Sequence, residues 1–149
     1  MKRKMVIGML TMGMVLCGAM TVSAESDGYV ISASHGYGAV EHWEIKTIGM
    51  QDAAKDLGVE FNYKYADGDL QQEVADIENF VEMGTNYIIV GPCNSEGIVP
   101  VIEEAQDKGV AVGTCDIGIE GVDVASFVSS DNYGIGEIAA CLLYTSPSP

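Results

Sequence analysis

The sequence predicts an α/β protein built on a doubly wound parallel sheet, with strand order 2-1-3-4-5 expected. Short apolar runs such as Tyr29–Ser34, Tyr87–Val90 and Val110–Thr114 read as strands buried on both faces. Helical stripes of apolar residues lie between them on short connections, which implies parallel pairing and right-handed crossovers. Gly58, Gly84 and Gly109 each stand where a helical stripe ends.

The elements follow in order. Tyr29–Ser34 is the first strand. His42–Leu57 is a helix, with Ile45, Gly49, Ala53 and Leu57 at i, i+4 spacing predicted to face the sheet. Glu60–Tyr65 alternates, with Phe61, Tyr63 and Tyr65 on one side, and reads as a strand near the sheet edge. Asp69 caps the next helix, and Gln72 is expected to complete a capping box. Leu70, Val74, Ile77 and Val81 mark that helix's buried stripe. Tyr87–Val90 is the third strand and Glu96–Lys108 the third helix, with Ile98, Val101, Ile102 and Ala105 inward. Val110–Thr114 and Phe127–Ser129 are the fourth and fifth strands, and a last helix starts near Tyr133.

The chain opens on Lys2, Arg3 and Lys4, followed by an uncharged apolar stretch to about Val22 and small residues at Val22-Ser23-Ala24. Basic, apolar and small regions in that order predict a cleavable signal peptide over residues 1–24, and with it export to the periplasm or another extracytoplasmic compartment. The stretch is borderline in length for a membrane span, and Gly8, Gly13 and Gly18 interrupt it. Cys17 raises lipid attachment as an alternative, but Leu16 stands where a small residue is expected.

Residues 25–140 are then long enough for one domain with its own core. At 141–149 the sequence CLLYTSPSP breaks the pattern and reads as a non-native tail. Cleavage leaves Lys46, Lys55, Lys64 and Lys108 against 22 acidic residues, a balance that repels nucleic acid and anionic membrane. Cys93, Cys115 and Cys141 show no paired spacing for a metal, and no metal or other cofactor is expected. Cys93 and Cys115 follow neighbouring strands, which brings them near one another, but close strand ends often point apart and the odd count argues against a disulfide framework, so free thiols are expected ahead of a bridge.

Ligands of open parallel sheets bind beyond the carboxyl ends of the strands. That edge receives Ser34–Gly38 with His42 and Trp43, then Gly91–Ser95, then Cys115 and Asp116, then Ser130, Asp131 and Asn132. A carboxylate such as Asp116 can accept from two sugar hydroxyls, and Trp43 offers a flat apolar partner for a sugar ring. Residue type alone leaves Trp43 equally suited to core packing, Asp116 to loop capping, and Asp131 and Asn132 to capping the last helix.

Gly36-Tyr37-Gly38 carries two glycines of a dinucleotide fingerprint, but Glu41 replaces the third and would repel a pyrophosphate. His35 and His42 are the only histidines, and no motif pairs either with a nucleophile, so an enzyme is unsupported.

Together, EHWEIKTIGMQDAAKDLGV, then DLQQEVADIENFVEMGTNYIIVGPCNSEGIVPVIEEAQDKGVAVGTCD, then FVSSDNYGIGEIAA resemble the periplasmic sugar-binding proteins of the ribose-binding type. The resemblance runs from Tyr29 to about Ala140. It implies one N-terminal lobe of a two-lobed protein that captures a sugar between lobes and delivers it to the membrane permease of an ATP-driven transporter.

The resemblance also implies a site. His42 and Trp43 stand at the positions of an aromatic pair, and Gly91 precedes a proline after the third strand. Asp116 matches the aspartate after the fourth strand, and Ser130, Asp131 and Asn132 match the string after the fifth. Ile117 replaces the arginine of ribose binders, which with His42 leaves another pentose, a hexose, a polyol or a sugar-like signal open. The alternative reading is an exported sensor lobe presenting a sugar to a chemoreceptor or sensor kinase. A sugar-responsive repressor is disfavoured by the leader and the charge.

Overall fold

The computed structural model describes residues 28–38 and 40–145. The expected leader with Cys17, and Pro147 and Pro149 of the expected tail, lie outside these residues. Within them strands and helices alternate as β1 (Val30–His35), α1 (Glu41–Leu57), β2 (Glu60–Tyr65), α2 (Leu70–Glu82), β3 (Tyr87–Gly91), α3 (Val99–Asp107) and β4 (Ala111–Cys115). β5 (Ser126–Val128) and α4 (Asn132–Thr145) follow. All five strands pair in parallel in the order β2-β1-β3-β4-β5, so the doubly wound sheet and its expected order are observed.

One face of the sheet is closed by α2 and α3. Ile77 and Phe80 of α2 meet Val101, Ile102 and Ala105 of α3 over Ile88, Val90 and Val112, with Ile98 and Val110 completing the core. The predicted α2 stripe holds, since Leu70, Val74 and Val81 pack against this cluster beside Ile77. Asp69 caps α2 by accepting from the N–H groups of Gln71 (2.9 Å) and Gln72 (3.3 Å). The capping box is only half formed, because the Gln72 amide turns forward to Asp76 Oδ1 at 2.9 Å. One turn along the helix, Asp76 offers a nearer acceptor than the backbone behind.

Helix α3 starts at Val99 rather than Glu96. Asn94 Oδ1 accepts from the N–H groups of Glu96 (3.1 Å) and Gly97 (2.8 Å), which commits these residues to a turn, and Pro100 opens the helix.

The other face carries α1 alone. Its buried residues are Trp43, Thr47 and Ala54. The expected inward stripe is thus corrected: Ile45, Gly49, Ala53 and Leu57 are all exposed. The helix rests on β1 and β2 through the adjacent row of residues, where the Thr47 hydroxyl donates to the Trp43 carbonyl (3.0 Å) and accepts from the Tyr65 phenol (2.9 Å). Gly58 ends α1 in the left-handed region at φ 68°, where its N–H reaches back to the last turn.

At the far edge, the Tyr87 phenol crosses above Gly113 and meets the Ser126 hydroxyl at 2.8 Å, linking β3 to β5 over β4. A side chain at Gly113 would collide with that phenol. Helix α4 begins under an Asp131 cap, whose Oδ1 accepts from the Gly134 N–H at 2.9 Å, and buries none of its residues.

Candidate functional site

Asp116 ends β4 with its backbone in the left-handed region, at φ 68°. Asp is among the few residues that tolerate this conformation, and such positions cluster at functional sites. Its N–H donates to the Val128 carbonyl (2.8 Å), so β5 fixes its backbone at the carboxyl edge of the sheet.

The carboxylate is held by two side chains from α1. His42 Nε2 is 3.1 Å from Oδ2, and Lys46 Nζ forms an ion pair with Oδ1 at 3.1 Å. Burial works against the charge, but Lys46 and His42 outweigh it and hold the Asp116 carboxyl below the usual range. Asp116, Lys46 and Ser130 border a cleft of about 400 Å³ that continues along the open side of α1 past Gly49, Met50 and Ala53.

Beneath lies an aromatic layer. Trp43 is 4% exposed, with its ring 5.1 Å from that of His35, and Lys46 Nζ sits over it at 4.4 Å. Gly91 supports the same ring from below, since a Cβ there would stand 2.5 Å from it. His35, at the end of β1, is wholly buried between Trp43 and Tyr65, and neither ring nitrogen has a partner. Burial, helped by the Lys46 charge, pushes its pKa down to about 4, so the ring is neutral at pH 7.

The β3–α3 loop is pinned from the α2 face. The Cys93 N–H donates to Oε2 of the fully buried Glu73 at 3.0 Å. Burial raises the Glu73 carboxyl, Cys93 opposes the rise, and the Asp76 charge adds to it.

Of the residues expected at the site, His42, Asp116 and Ser130 meet at one edge, while Trp43 and Gly91 form the layer below. Trp43 therefore supports the site and presents no open face in this arrangement. Asn132 is exposed in the first turn of α4, its N–H bonded to the Ser130 carbonyl (2.9 Å).

The periplasmic binding protein domain family matches residues 36–145. The chain belongs to the periplasmic binding proteins. Among curated relatives, it is 30% identical over 130 residues to the D-xylose-binding periplasmic protein of Haemophilus influenzae, covering 85% of this chain and 39% of that protein. It is also 30% identical over 95 residues to the ribose import binding protein of Bacillus subtilis, covering 64% and 31% respectively. The chain thus spans well under half the length of these relatives. A solved ABC transporter solute-binding protein from Mycobacterium smegmatis with bound glycerol superposes with TM-score 0.73 at 26% identity, over 80% of this chain and 42% of that one.

The Gly36–Gly38 loop offers no open phosphate cradle, because its N–H groups at Gly36 and Gly38 already go to the Gly91 carbonyl (2.7 Å) and Asp67 Oδ1 (3.2 Å). The Cys93 thiol is pushed up to about 12, chiefly by burial and then by Glu73, which favours its protonated form at neutral pH. Among the described residues no group of three or more His, Cys, Asp or Glu is placed to hold a metal.

Cys93 and Cys115 are both free thiols, as their odd count and strand-end placement favoured. Cys115 packs on the α1 face near Gly91, whereas Cys93 is held toward Glu73 of α2, so the two side chains diverge.

Sequence reasoning missed Lys46, His35 and Glu73. Lys46 carried one usable signal, standing one turn beyond His42 and thus on the same helix face.

Proposed function

We propose that this chain forms one wall of an extracytoplasmic site for a small sugar or polyol, in a binding protein that serves the membrane permease of an ATP-driven transporter. The observation that carries the reading is Asp116: an ionised carboxylate fixed by β4 and β5 at the carboxyl edge, with one oxygen facing the exposed His42. Such a group accepts from sugar hydroxyls with charge-assisted strength. Ser130 adds a hydroxyl beside it, and the Trp43–Gly91 layer keeps the edge rigid. The names of the relatives, which bind D-xylose and ribose, support the ligand class.

Binding pockets normally bury about 70–90% of a small ligand. This open edge supplies one wall, and an opposing wall would come from the length the relatives possess beyond the matched region. Calorimetry with D-xylose and D-ribose tests the reading, comparing this chain with the same chain joined to a second lobe. The two-lobed form is expected to bind far more tightly. In it, Asp116→Ala weakens binding by roughly tenfold to a few hundredfold, the loss of hydrogen bonds to a charged group. Unchanged affinity in a folded Asp116→Ala protein would remove Asp116 from the site.

A further inference from the structure

We infer that Lys46 is a specificity-determining residue of the Asp116 site, occupying Oδ1 so that a neutral polyhydroxyl ligand is accepted at Oδ2 and a cationic one is refused. The inference rests on the sugar-site reading above and adds a residue and a charge rule to it.

The two partners of Asp116 are anchored unequally. Lys46 Nζ is buried, lies over the Trp43 ring at 4.4 Å and reaches Oδ1 at 3.1 Å. The ring face and the carboxylate hold it from two sides. His42 is 51% exposed and touches Trp43 only edge-on, with ring centroids 5.5 Å apart. It reaches Oδ2 through a single 3.1 Å contact. A ligand hydroxyl can therefore displace His42 from Oδ2 at little cost. Displacing Lys46 would strand a buried ammonium.

With Oδ1 neutralised by an internal cation, the pair has no net charge to offer an incoming ammonium. A hydroxyl, which brings a donor and no charge, is the matching group. Ile117, next along the chain, brings no cation to Asp116; the cation comes instead from α1.

The test uses Lys46→Met, Lys46→Gln and Lys46→Arg in the two-lobed form described above, each confirmed as folded by dispersed amide spectra. Two readouts by NMR are the Asp116 carboxyl titration and the amide shifts of Asp116, Ile117 and Ser130 during titration with D-xylose and with D-glucosamine. Lys46→Met and Lys46→Gln are expected to raise the Asp116 titration toward the ordinary value. They should weaken D-xylose by about tenfold or more and strengthen D-glucosamine. Lys46→Arg is expected to restore both readouts.

An unmoved Asp116 titration overturns the inference, as does a D-xylose affinity equal to wild type in both neutral variants. Wild-type preference for D-glucosamine overturns it too, and so does silence of every variant toward both probes. Failure of the wild-type two-lobed form alone to bind D-xylose strikes the sugar-site reading instead; a gain of D-glucosamine in the neutral variants would then still uphold the charge rule at Lys46.

Discussion

On the α2–α3 face of the sheet, Ile77, Phe80, Ile88, Ile98 and Ile102 are almost wholly withdrawn from water. On the opposite face, α1 covers β1 and β2 and leaves Ile45, Ile48 and Leu57 more than half exposed. Beneath and along α1 the buried residues are an indole, an imidazole, a threonine and an alanine, with the half-buried Tyr65 beside them and a lysine–aspartate pair above. Apolar burial, the main source of folding free energy, is thus concentrated on one side. Buried polar groups occur on both sides, Glu73 and Asp76 under α2 and His35 and Thr47 under α1, but the aromatic layer and the lysine–aspartate pair belong to the α1 side. One sheet divides the labour: one face holds most of the apolar core, and the other carries the candidate site.

That division can be broken most directly by deleting matched side chains. Phe80→Ala should cost about 3–5 kcal/mol, as large core truncations do, whereas Ile48→Ala should stay within about 0.5 kcal/mol. Urea unfolding of both reads the difference, and comparable losses would mean that the α1 face is packed in solution.

A second effect, of up to about 3 kcal/mol, concerns pH. The folded pKa of His35, about 4, lies below its ordinary 6.5, so in that window the unfolded chain binds the extra proton. Stability present above about pH 6.5 is therefore lost progressively as pH falls toward 4. Glu73 opposes this, because its raised carboxyl contributes stability that disappears as pH rises. The His35 contribution is read as a difference, with His35→Phe expected to flatten the acid-side slope between pH 6.5 and 4. An unchanged slope would assign it elsewhere.

Gly91→Ala should cost about 1–3 kcal/mol, since the new methyl group must push the Trp43 ring. Thermal melts alongside near-ultraviolet circular dichroism of the indole check this.

The smallest contrast compares two caps of the same chemistry. Asp69→Ala, on a packed helix, should lower global stability by about 1 kcal/mol. Asp131→Ala, on a helix with no buried residue, should reduce helical signal without moving the main unfolding transition. A shift of the main transition in Asp131→Ala would show that α4 is packed in solution.

Much of this was legible in the sequence, and what was not has physical causes. Strands buried on both faces appear as unbroken apolar runs, and the α2 stripe announced its own burial because Leu70, Val74, Ile77 and Val81 meet a closed core. In α1 the same logic misled. Periodicity shows that Ile45, Gly49, Ala53 and Leu57 share a face, but whether that face meets the sheet depends on how far the sheet extends beneath it. The row that is buried contains Thr47, whose two hydrogen bonds within the fold make its hydroxyl compatible with burial.

Asp116, His42 and Ser130 could be placed at one edge from strand order alone. Lys46 was signalled only by its place one turn beyond His42, and its reach to Asp116 depends on Trp43 standing beneath it. His35 read as a loop residue since it directly precedes Gly36, yet β1 continues through it and turns its ring inward.

The phenol of Tyr87 passing over Gly113 constrains the order in which this sheet can drift over evolutionary time. No residue with a side chain can enter position 113 while the tyrosine remains, because the ring already fills that space. A change at Tyr87 would open that space, and it forfeits the contact with Ser126 that reinforces the pairing of β5 with β4. Since β5 fixes the backbone of Asp116, the accessible mutational paths at this distant corner pass through states in which the binding edge itself is loosened. Positions 87, 113 and 126 are therefore expected to change together or stay fixed, a linkage that the chemistry of the site alone would not reveal.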